Sequence, residues 1–176
     1  RIFGVEIQKD IYELVLKSVL DNKMMDQITL ICDDVKNISQ HFDSETFDIV
    51  TCNPPYFKYE KNSLVNTNDK KAIARHEVMI NLEDILKSAN YLLKNKGTFA
   101  MVHRPDRLME IFDLMRKYNL EPKKIRFIYP KKDKECNMIL IEGIKNGNAG
   151  LKIISPLITH NEDETYCDEI RNMFGN

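Results

Sequence analysis

Short apolar runs alternate with amphipathic segments along most of this 176-residue chain. Residues 2–7, 27–32 and 47–52 are short runs rich in β-branched side chains, of the kind that form buried strands in parallel sheets. Between the first two of these runs, residues 9–23 carry apolar side chains at helical spacing. Strands that alternate with helices build a mainly parallel α/β sheet. The sequence therefore predicts an α/β fold in a single domain, residues 1–176.

The second half of the chain continues this alternation. Residues 57–76 are polar and without periodicity, and they predict a loop on the substrate side of the fold. Asn81 is suited to cap a helix over residues 81–94, and Pro105 suits the first turn of a helix over residues 105–118. The remaining apolar runs predict three strands, of which the last two form a C-terminal antiparallel hairpin: residues 98–103, 124–130 and 136–144.

A stiff turn follows the strand predicted at residues 47–52, and it consists of Asn53, Pro54, Pro55 and Tyr56. Each proline fixes its own φ and confines the residue before it to extended geometry. The Asn53 side-chain oxygen and the Pro54 carbonyl can both accept hydrogen bonds from one NH₂ group, and the Tyr56 ring can stack on an extruded base.

A planar exocyclic amine is a poor nucleophile, because its lone pair is delocalised, so an enzyme that modifies it must hold the nitrogen firmly against an electrophile. The turn at residues 53–56 offers acceptors and a stacking platform for that task, and it predicts methylation of an amino group. The same residues are also compatible with a simple rigid exit from a strand, since Asn before Pro is a common start of a turn.

Composition excludes several classes of protein. No apolar run reaches the length of a membrane span, and no signal peptide opens the chain. The four cysteines are widely spaced without a Cys-x-x-Cys pair, and the four histidines lack metal-ligand spacing. We therefore expect no metal site, no disulfide scaffold and a cytoplasmic location.

The net charge of −1 conceals an uneven distribution. Residues 1–50 carry a net charge of −5, residues 51–134 carry +8, and residues 135–176 carry −4. A basic central block that begins at the stiff turn favours a polyanionic partner. The alternative is that these lysines only solvate helix faces and loops.

Several of these residues together resemble a known family. An acid at the end of the first strand, an acid after the second and the Asn-Pro-Pro-Tyr turn after the third are similar to the class I methyltransferases that use S-adenosylmethionine. More specifically, the chain resembles the bacterial tRNA1(Val) (adenine-37-N6)-methyltransferases. The segments that carry this closer resemblance are residues 74–77 (Ala-Arg-His-Glu), residues 103–105 (His-Arg-Pro), and Pro156, Leu157 and Tyr166.

The resemblance implies a Rossmann-like fold, S-adenosylmethionine as cofactor, and tRNA as substrate. It also implies that the cofactor lies against Glu6, Asp34, Val35 and Asn53. Glu6 would accept hydrogen bonds from the ribose hydroxyls. In nucleotide-binding α/β folds a carboxylate at the end of the fold's second strand does this, and the first strand of this chain resembles that second strand. The alternative is that Glu6 is only a solvated acid at a strand end. Asp34 resembles the acid that receives the adenine amino group of the cofactor. Asp33 is the alternative if the register is shifted by one residue.

The catalytic residues implied by the resemblance are those of the stiff turn, which hold a flipped adenine in line with the cofactor's methyl group. Residues implied on the RNA side are Lys58, Arg75, His76, His103 and Arg104. Arg75 and His76 would close a loop or grip RNA, whereas His103 and Arg104 would line the mouth of the site, contact phosphate or form a structural pair.

One expected feature is absent from the sequence. In the class I fold a glycine-rich loop after the first strand cradles the cofactor, and only Gly4 lies near the start of this chain. The sequence therefore predicts a class I fold that lacks its first strand and the glycine-rich loop that follows it. Alternatives that remain open are methylation of a glutamine in a release factor, of another RNA or of DNA, and a noncatalytic RNA-binding module.

Overall fold

The structure is a computed structural model that describes residues 1–54, 56 and 81–175. Pro55, Lys58, Arg75 and His76 lie outside the described residues, as does the loop predicted over residues 57–76. Among the helices that the structure describes, none is long and apolar enough to cross a membrane.

A small parallel sheet forms from the first elements of the chain. Strand β1 (Ile2–Glu6) is followed by helix α1 (Lys9–Asp21) and strand β2 (Ile28–Cys32). The two strands pair in parallel, with Ile2 opposite Ile28 and the ends of both strands in register. These three elements match the predicted strand, helix and strand to within two residues at each end.

The second sheet is mixed and has five strands. Their order is Phe47–Cys52 (β3), Leu93–His103 (β4), Met138–Lys145 (β6), Leu120–Tyr129 (β5) and Lys152–Ile158 (β7). Strands β3 and β4 are parallel, and the predicted antiparallel hairpin is present as β5 and β6. From Phe47 onward the strands and helices are, in chain order, β3 (Phe47–Cys52), α2 (Leu82–Leu92), β4 (Leu93–His103), α3 (Leu108–Lys117), β5 (Leu120–Tyr129), β6 (Met138–Lys145), β7 (Lys152–Ile158) and α4 (Asp168–Phe174).

Helices α2 and α3 cover one face of the mixed sheet and bury its core, which includes Phe99, Ile111 and Met115 at 0% exposure. Asn81 caps α2 as predicted, because its Oδ1 accepts a 2.8 Å hydrogen bond from the Asp84 amide. Helix α2 ends two residues earlier than predicted, since the chain passes directly into β4.

Three elements were not predicted from the sequence. A 3₁₀ helix spans Val35–Gln40, and the chain ends with β7 and α4. Most of β7 is exposed, so its side chains lack the alternation that would identify a strand. The helix α3 begins three residues after Pro105, which starts a separate short 3₁₀ turn over Pro105–Arg107.

A deep cleft separates the two sheets. Within the described residues β1 pairs only with β2, and β3 pairs only with β4, so each strand has an edge without a strand partner. Residues of both strands line the cleft, whose volume is about 1360 Å³. The cleft is larger than the ~300–1,000 Å³ typical of ligand pockets.

Candidate active site between the two sheets

The candidate site lies where β1 and β3 end. Glu6 is the last residue of β1, and Asn53 follows the last residue of β3; both line the same cleft. Ligands of open α/β sheets bind at the carboxyl ends of the strands, because the chain leaves the sheet there and exposes polar groups. The residues that the sequence singles out at two separate strand ends therefore border a single cavity.

Asn53 and Tyr56 are joined by a hydrogen bond. The Tyr56 hydroxyl donates to Asn53 Oδ1 at 2.5 Å. Pro54, between them, is buried, whereas Asn53 is exposed, and all three residues line the cleft. The turn thus presents the Asn53 carboxamide to the cavity on a backbone that proline restricts.

His103 lies behind this turn, at the end of the neighbouring strand β4. Its imidazole is fully buried and meets the Tyr56 ring edge to face, with ring centroids 5.7 Å apart. Burial lowers the pKa of His103, so the ring is neutral at neutral pH. Arg104 follows, and its backbone amide donates a 2.8 Å hydrogen bond to His103 Nδ1.

The two acids after β2 have different environments. The Asp34 carboxylate caps the 3₁₀ helix by accepting a hydrogen bond from the Lys36 amide. Asp33 and Val35 line the cleft, whereas Asp34 is not among the described lining residues. The sequence favoured Asp34 as the adenine-binding residue, with Asp33 as the alternative, whereas in the structure it is Asp33 that lines the cleft.

Asp33 is held by several donors. Its Oδ2 lies 2.6 Å from His41 Nε2, and its Oδ1 accepts from Asn37 Nδ2 at 2.9 Å and from the Asp34 amide at 2.7 Å. These contacts, with the His41 hydrogen bond foremost, lower the pKa of Asp33 to about 2. The side chain is therefore a fixed carboxylate at neutral pH.

Glu6 is oriented by a local hydrogen bond. Its Oε1 accepts from the Gln8 backbone amide at 2.8 Å, which holds the carboxylate at the end of β1. This contact leaves Oε2 able to accept from a second donor, and an ionised carboxylate can accept several hydrogen bonds. A pair of ribose hydroxyls fits such an acceptor.

The wall of the cleft includes apolar residues that the sequence did not reveal. Phe3, Phe42 and Phe47 meet edge to face, with ring centroids 5.0–5.5 Å apart, and thereby join the two sheets. Cys52, next to Asn53, has a pKa raised to about 11 by burial, so its thiol is neutral and serves as an apolar wall. Phe3 and Phe47 lie at the starts of β1 and β3, whereas Phe42 lies between the 3₁₀ helix and β3, where the sequence carries no signal for it.

Many basic residues of the central block have acidic partners. Lys117 pairs with Glu83, and Lys124 with Glu142 at 2.8 Å. Further pairs join Arg107 to Glu110, Arg116 to Glu121, Arg126 to Glu169, and Lys131 to Glu164. The described part of the block therefore offers less free positive charge than its composition indicates.

Comparison with known proteins places these features in context. The chain matches the model of the N-6 DNA Methylase family over residues 1–128. It is 30% identical over 142 residues to the tRNA1(Val) (adenine(37)-N6)-methyltransferase of Phocaeicola vulgatus, covering 80% of this chain and 58% of that protein. The protein of the same name from Bacteroides fragilis strain YCH46 is 23% identical over 98% of this chain and 73% of its own length.

These relatives confirm the resemblance predicted from the sequence. The chain nevertheless spans little more than half the length of the first relatives, at 55% for one from Porphyromonas gingivalis and 58% for that from Phocaeicola vulgatus.

Solved structures share the fold. A predicted O-methyltransferase of Agrobacterium tumefaciens matches with a TM-score of 0.75 at 18% identity, over 98% of this chain and 76% of its own. The geranyl diphosphate C-methyltransferase of Streptomyces coelicolor, in complex with S-adenosyl-L-homocysteine, gives a TM-score of 0.60 at 11% identity, over 82% and 64% of the two chains. The predicted class I α/β methyltransferase fold is thereby confirmed.

Proposed function

Because the chain belongs to the N-6 DNA Methylase family, we propose that it methylates the exocyclic amine of adenine, with S-adenosylmethionine as methyl donor. The observation that carries the proposal is the position of Asn53 and Tyr56, which are hydrogen-bonded to each other at the end of β3 and face the cleft. Carboxamide oxygen and aromatic ring are the groups that an extruded adenine requires.

The described residues of the cleft fit the proposed cofactor. Glu6 would accept hydrogen bonds from its ribose, and Val35 would pack on its adenine. Either Asp34 or Asp33 would receive the adenine amino group; Asp33 lines the cleft, but its oxygens already accept from three donors. When bound, the cofactor supplies a methyl group made electrophilic by a positively charged sulfur.

The turn at residues 53–56 would hold the amine. Asn53 Oδ1 and the Pro54 carbonyl would accept its two N–H groups, which draws the nitrogen lone pair out of conjugation and towards the methyl carbon. The amine nitrogen would form its bond to the methyl carbon as the bond from that carbon to sulfur breaks, and the electron pair of the broken bond would go to sulfur. The positively charged nitrogen then loses one proton to water.

The proposed substrate is tRNA, at the adenine on the 3′ side of the anticodon of a valine tRNA. The names of the relatives from Phocaeicola and Bacteroides support this choice. Such a substrate would meet the enzyme in the cytoplasm. DNA is the second candidate, because the matching family model is named for DNA methylation. Contacts to the RNA would come from Arg104 and from three residues outside the described ones, Lys58, Arg75 and His76. His103, which the sequence also suggested for this role, is fully buried and cannot contact RNA.

We also propose that the cleft receives one additional parallel strand, with the cofactor loop that follows such a strand. The edges of β1 and β3 that have no strand partner within the described residues support this proposal, as does a cavity larger than a typical ligand pocket. Pairing on both edges would join the two sheets into one. The glycine-rich loop of the class I fold would then lie between Glu6 and Asn53.

A methyl-transfer assay tests the proposed function. The protein, extended to the length of its relatives, is incubated with methyl-labelled S-adenosylmethionine and either unmodified tRNA, DNA or a release factor. Labelled N6-methyladenosine in tRNA digests is the expected product. Label in N6-methyldeoxyadenosine would move the substrate to DNA, whereas label in glutamine would contradict the adenine assignment. Cofactor binding without transfer to any acceptor would favour a noncatalytic protein.

A further inference from the structure

His103 is a polar residue that is buried beside the candidate site. It ends β4, next to the end of β3, and its side chain has no exposed surface. Nδ1 lies 2.8 Å from the Arg104 amide nitrogen and 3.3 Å from the Arg104 carbonyl oxygen. The shorter contact makes Nδ1 the acceptor, and a neutral ring with that bond carries its proton on Nε2. Within the described residues, Nε2 has no hydrogen-bond partner. A buried donor without an acceptor is unfavourable, whereas the bond to Nδ1 satisfies the Arg104 amide.

The contacts of the imidazole lead towards the candidate site. The bond from the Arg104 amide fixes the plane of the His103 ring, and that ring packs edge to face against Tyr56. Tyr56 in turn donates its hydroxyl proton to Asn53 Oδ1. The four residues form a continuous series of contacts from the end of β4 to the cavity at the end of β3.

We propose that His103 is a positioning residue: it holds the Tyr56 ring, and through the Tyr56 hydroxyl it sets which atom of the Asn53 carboxamide faces the amine. This inference rests on the proposed function. An asparagine side chain can present either its oxygen or its NH₂ group, and only the oxygen accepts a hydrogen bond from an amine. A hydroxyl that donates to Oδ1 selects the productive orientation, and a fixed tyrosine ring keeps that hydroxyl in place.

A double-mutant cycle on turnover tests the proposal. His103→Phe keeps the volume and the ring but loses the nitrogen that the Arg104 amide binds, and Tyr56→Phe removes the hydroxyl. We expect His103→Phe to lower kcat about tenfold and to leave the KM for S-adenosylmethionine unchanged. In a protein that already carries Tyr56→Phe, the same substitution should lower kcat by less than about threefold. An equal loss in both backgrounds would overturn the proposal.

His103→Asn gives a second comparison, since its side-chain oxygen can still accept from the Arg104 amide while the ring is lost. We expect it to lower kcat at least as much as His103→Phe, because no ring then supports Tyr56. Thermal unfolding of each variant separates this effect from loss of the fold. Both variants should remain folded at the temperature of the assay, and a kcat that survives in His103→Asn would contradict positioning by the ring.

A measurement without catalysis tests the same proposal if no methyl transfer to adenine is found. The side-chain amide of Asn53 is followed by ¹⁵N NMR, with its signal identified by its loss in Asn53→Asp. We expect His103→Phe to increase the mobility of this amide, although no direct contact joins the two residues, and to leave the Asn81 cap amide unchanged. An Asn53 signal that is the same in wild type and His103→Phe would overturn the inference, whereas absent methyl transfer would overturn only the proposed function.

Discussion

The hydroxyl of Tyr56 lies 2.5 Å from Oδ1 of Asn53 and donates a hydrogen bond to it. A carboxamide oxygen has two lone pairs, so this bond leaves one of them for a substrate amine. The tyrosine therefore has two separable roles at the proposed site. Its hydroxyl orients Asn53, and its ring provides a surface on which a base can stack.

Replacing Asn53 separates turnover from cofactor binding. Asn53→Ala removes the side-chain acceptor, and we expect kcat to fall about 10²–10³-fold, the loss typical when one preorganised hydrogen-bonding group is deleted from an active site. The Kd for S-adenosylmethionine, measured by calorimetry, should change by less than about threefold, because a hydrogen bond to the amine of the substrate does not hold the cofactor.

Asn53→Asp is the matched control. It keeps an acceptor oxygen of the same shape and should retain more activity than Asn53→Ala. A cofactor Kd that weakens in parallel with kcat in both variants would show that Asn53 mainly binds cofactor, and would contradict the assignment of Asn53 to the amine.

The two roles of Tyr56 predict different kinetic effects. Tyr56→Phe keeps the ring and should lower kcat by about tenfold at nearly constant KM for tRNA, because only the hydroxyl bond to Asn53 is lost. Tyr56→Ala also removes the stacking surface, worth about 1–3 kcal/mol per base, and should raise the KM for tRNA as well. Equal kinetics for the two variants would show that the ring does not contact the base.

Glu6 is predicted to act on the cofactor alone. Glu6→Gln removes the charge from the acceptor proposed for the ribose hydroxyls. We expect the KM for S-adenosylmethionine to rise about tenfold, because hydrogen bonds to charged groups contribute about 1.5–3 kcal/mol. Glu13→Gln, on the exposed face of α1, is the control and should leave this KM unchanged. If both variants bind the cofactor as the wild type does, the ribose assignment is wrong.

The periodicity of the sequence predicted the parallel pairs and the hairpin, because these strands are rich in apolar residues and separated by polar segments. It did not predict β7, which is mostly exposed along its length. The end of α2 was misplaced for a different reason. Leu93 leaves the helix to pair with Phe47 of β3, and such a long-range contact is invisible in local spacing.

At the candidate site the sequence identified the strand-end residues Glu6 and Asn53, because position after a strand predicts exposure at one edge of the sheet. It favoured Asp34 and kept Asp33 as the alternative, because the directions of two neighbouring side chains depend on a backbone conformation that the sequence does not give. His103 was singled out, yet its contact with Tyr56 depends on the register of β3 and β4 and needed the structure.

The environment of Asp33 predicts its titration. Because its pKa is lowered from the ordinary value of 3.8 to about 2, its contribution to stability is complete above about 3.8 and is lost as pH falls towards 2. We expect ¹³C NMR of the Asp33 carboxyl to give a midpoint near the lower value, and His41→Ala to raise it. Asp33→Asn should therefore destabilise the protein more at pH 6 than at pH 3 in urea unfolding. A midpoint that is unchanged by His41→Ala would refute the assigned cause.

Lys145 connects β6 to the end of α2, and we expect this connection to stabilise the fold. Its buried Nζ donates to the carbonyls of Asn90 and Leu93, each at 2.8 Å, and lies 3.1 Å from Glu45 Oε1. Lys145→Met keeps the apolar stem but leaves these acceptors without their donor, so we expect a loss of about 2–4 kcal/mol in the free energy of unfolding. The exposed Lys152→Met in β7 is the control and should change it by less than about 0.5 kcal/mol. Similar urea unfolding midpoints for the two variants would show that the buried ammonium adds no net stability, since its desolvation would then cancel the hydrogen bonds it makes.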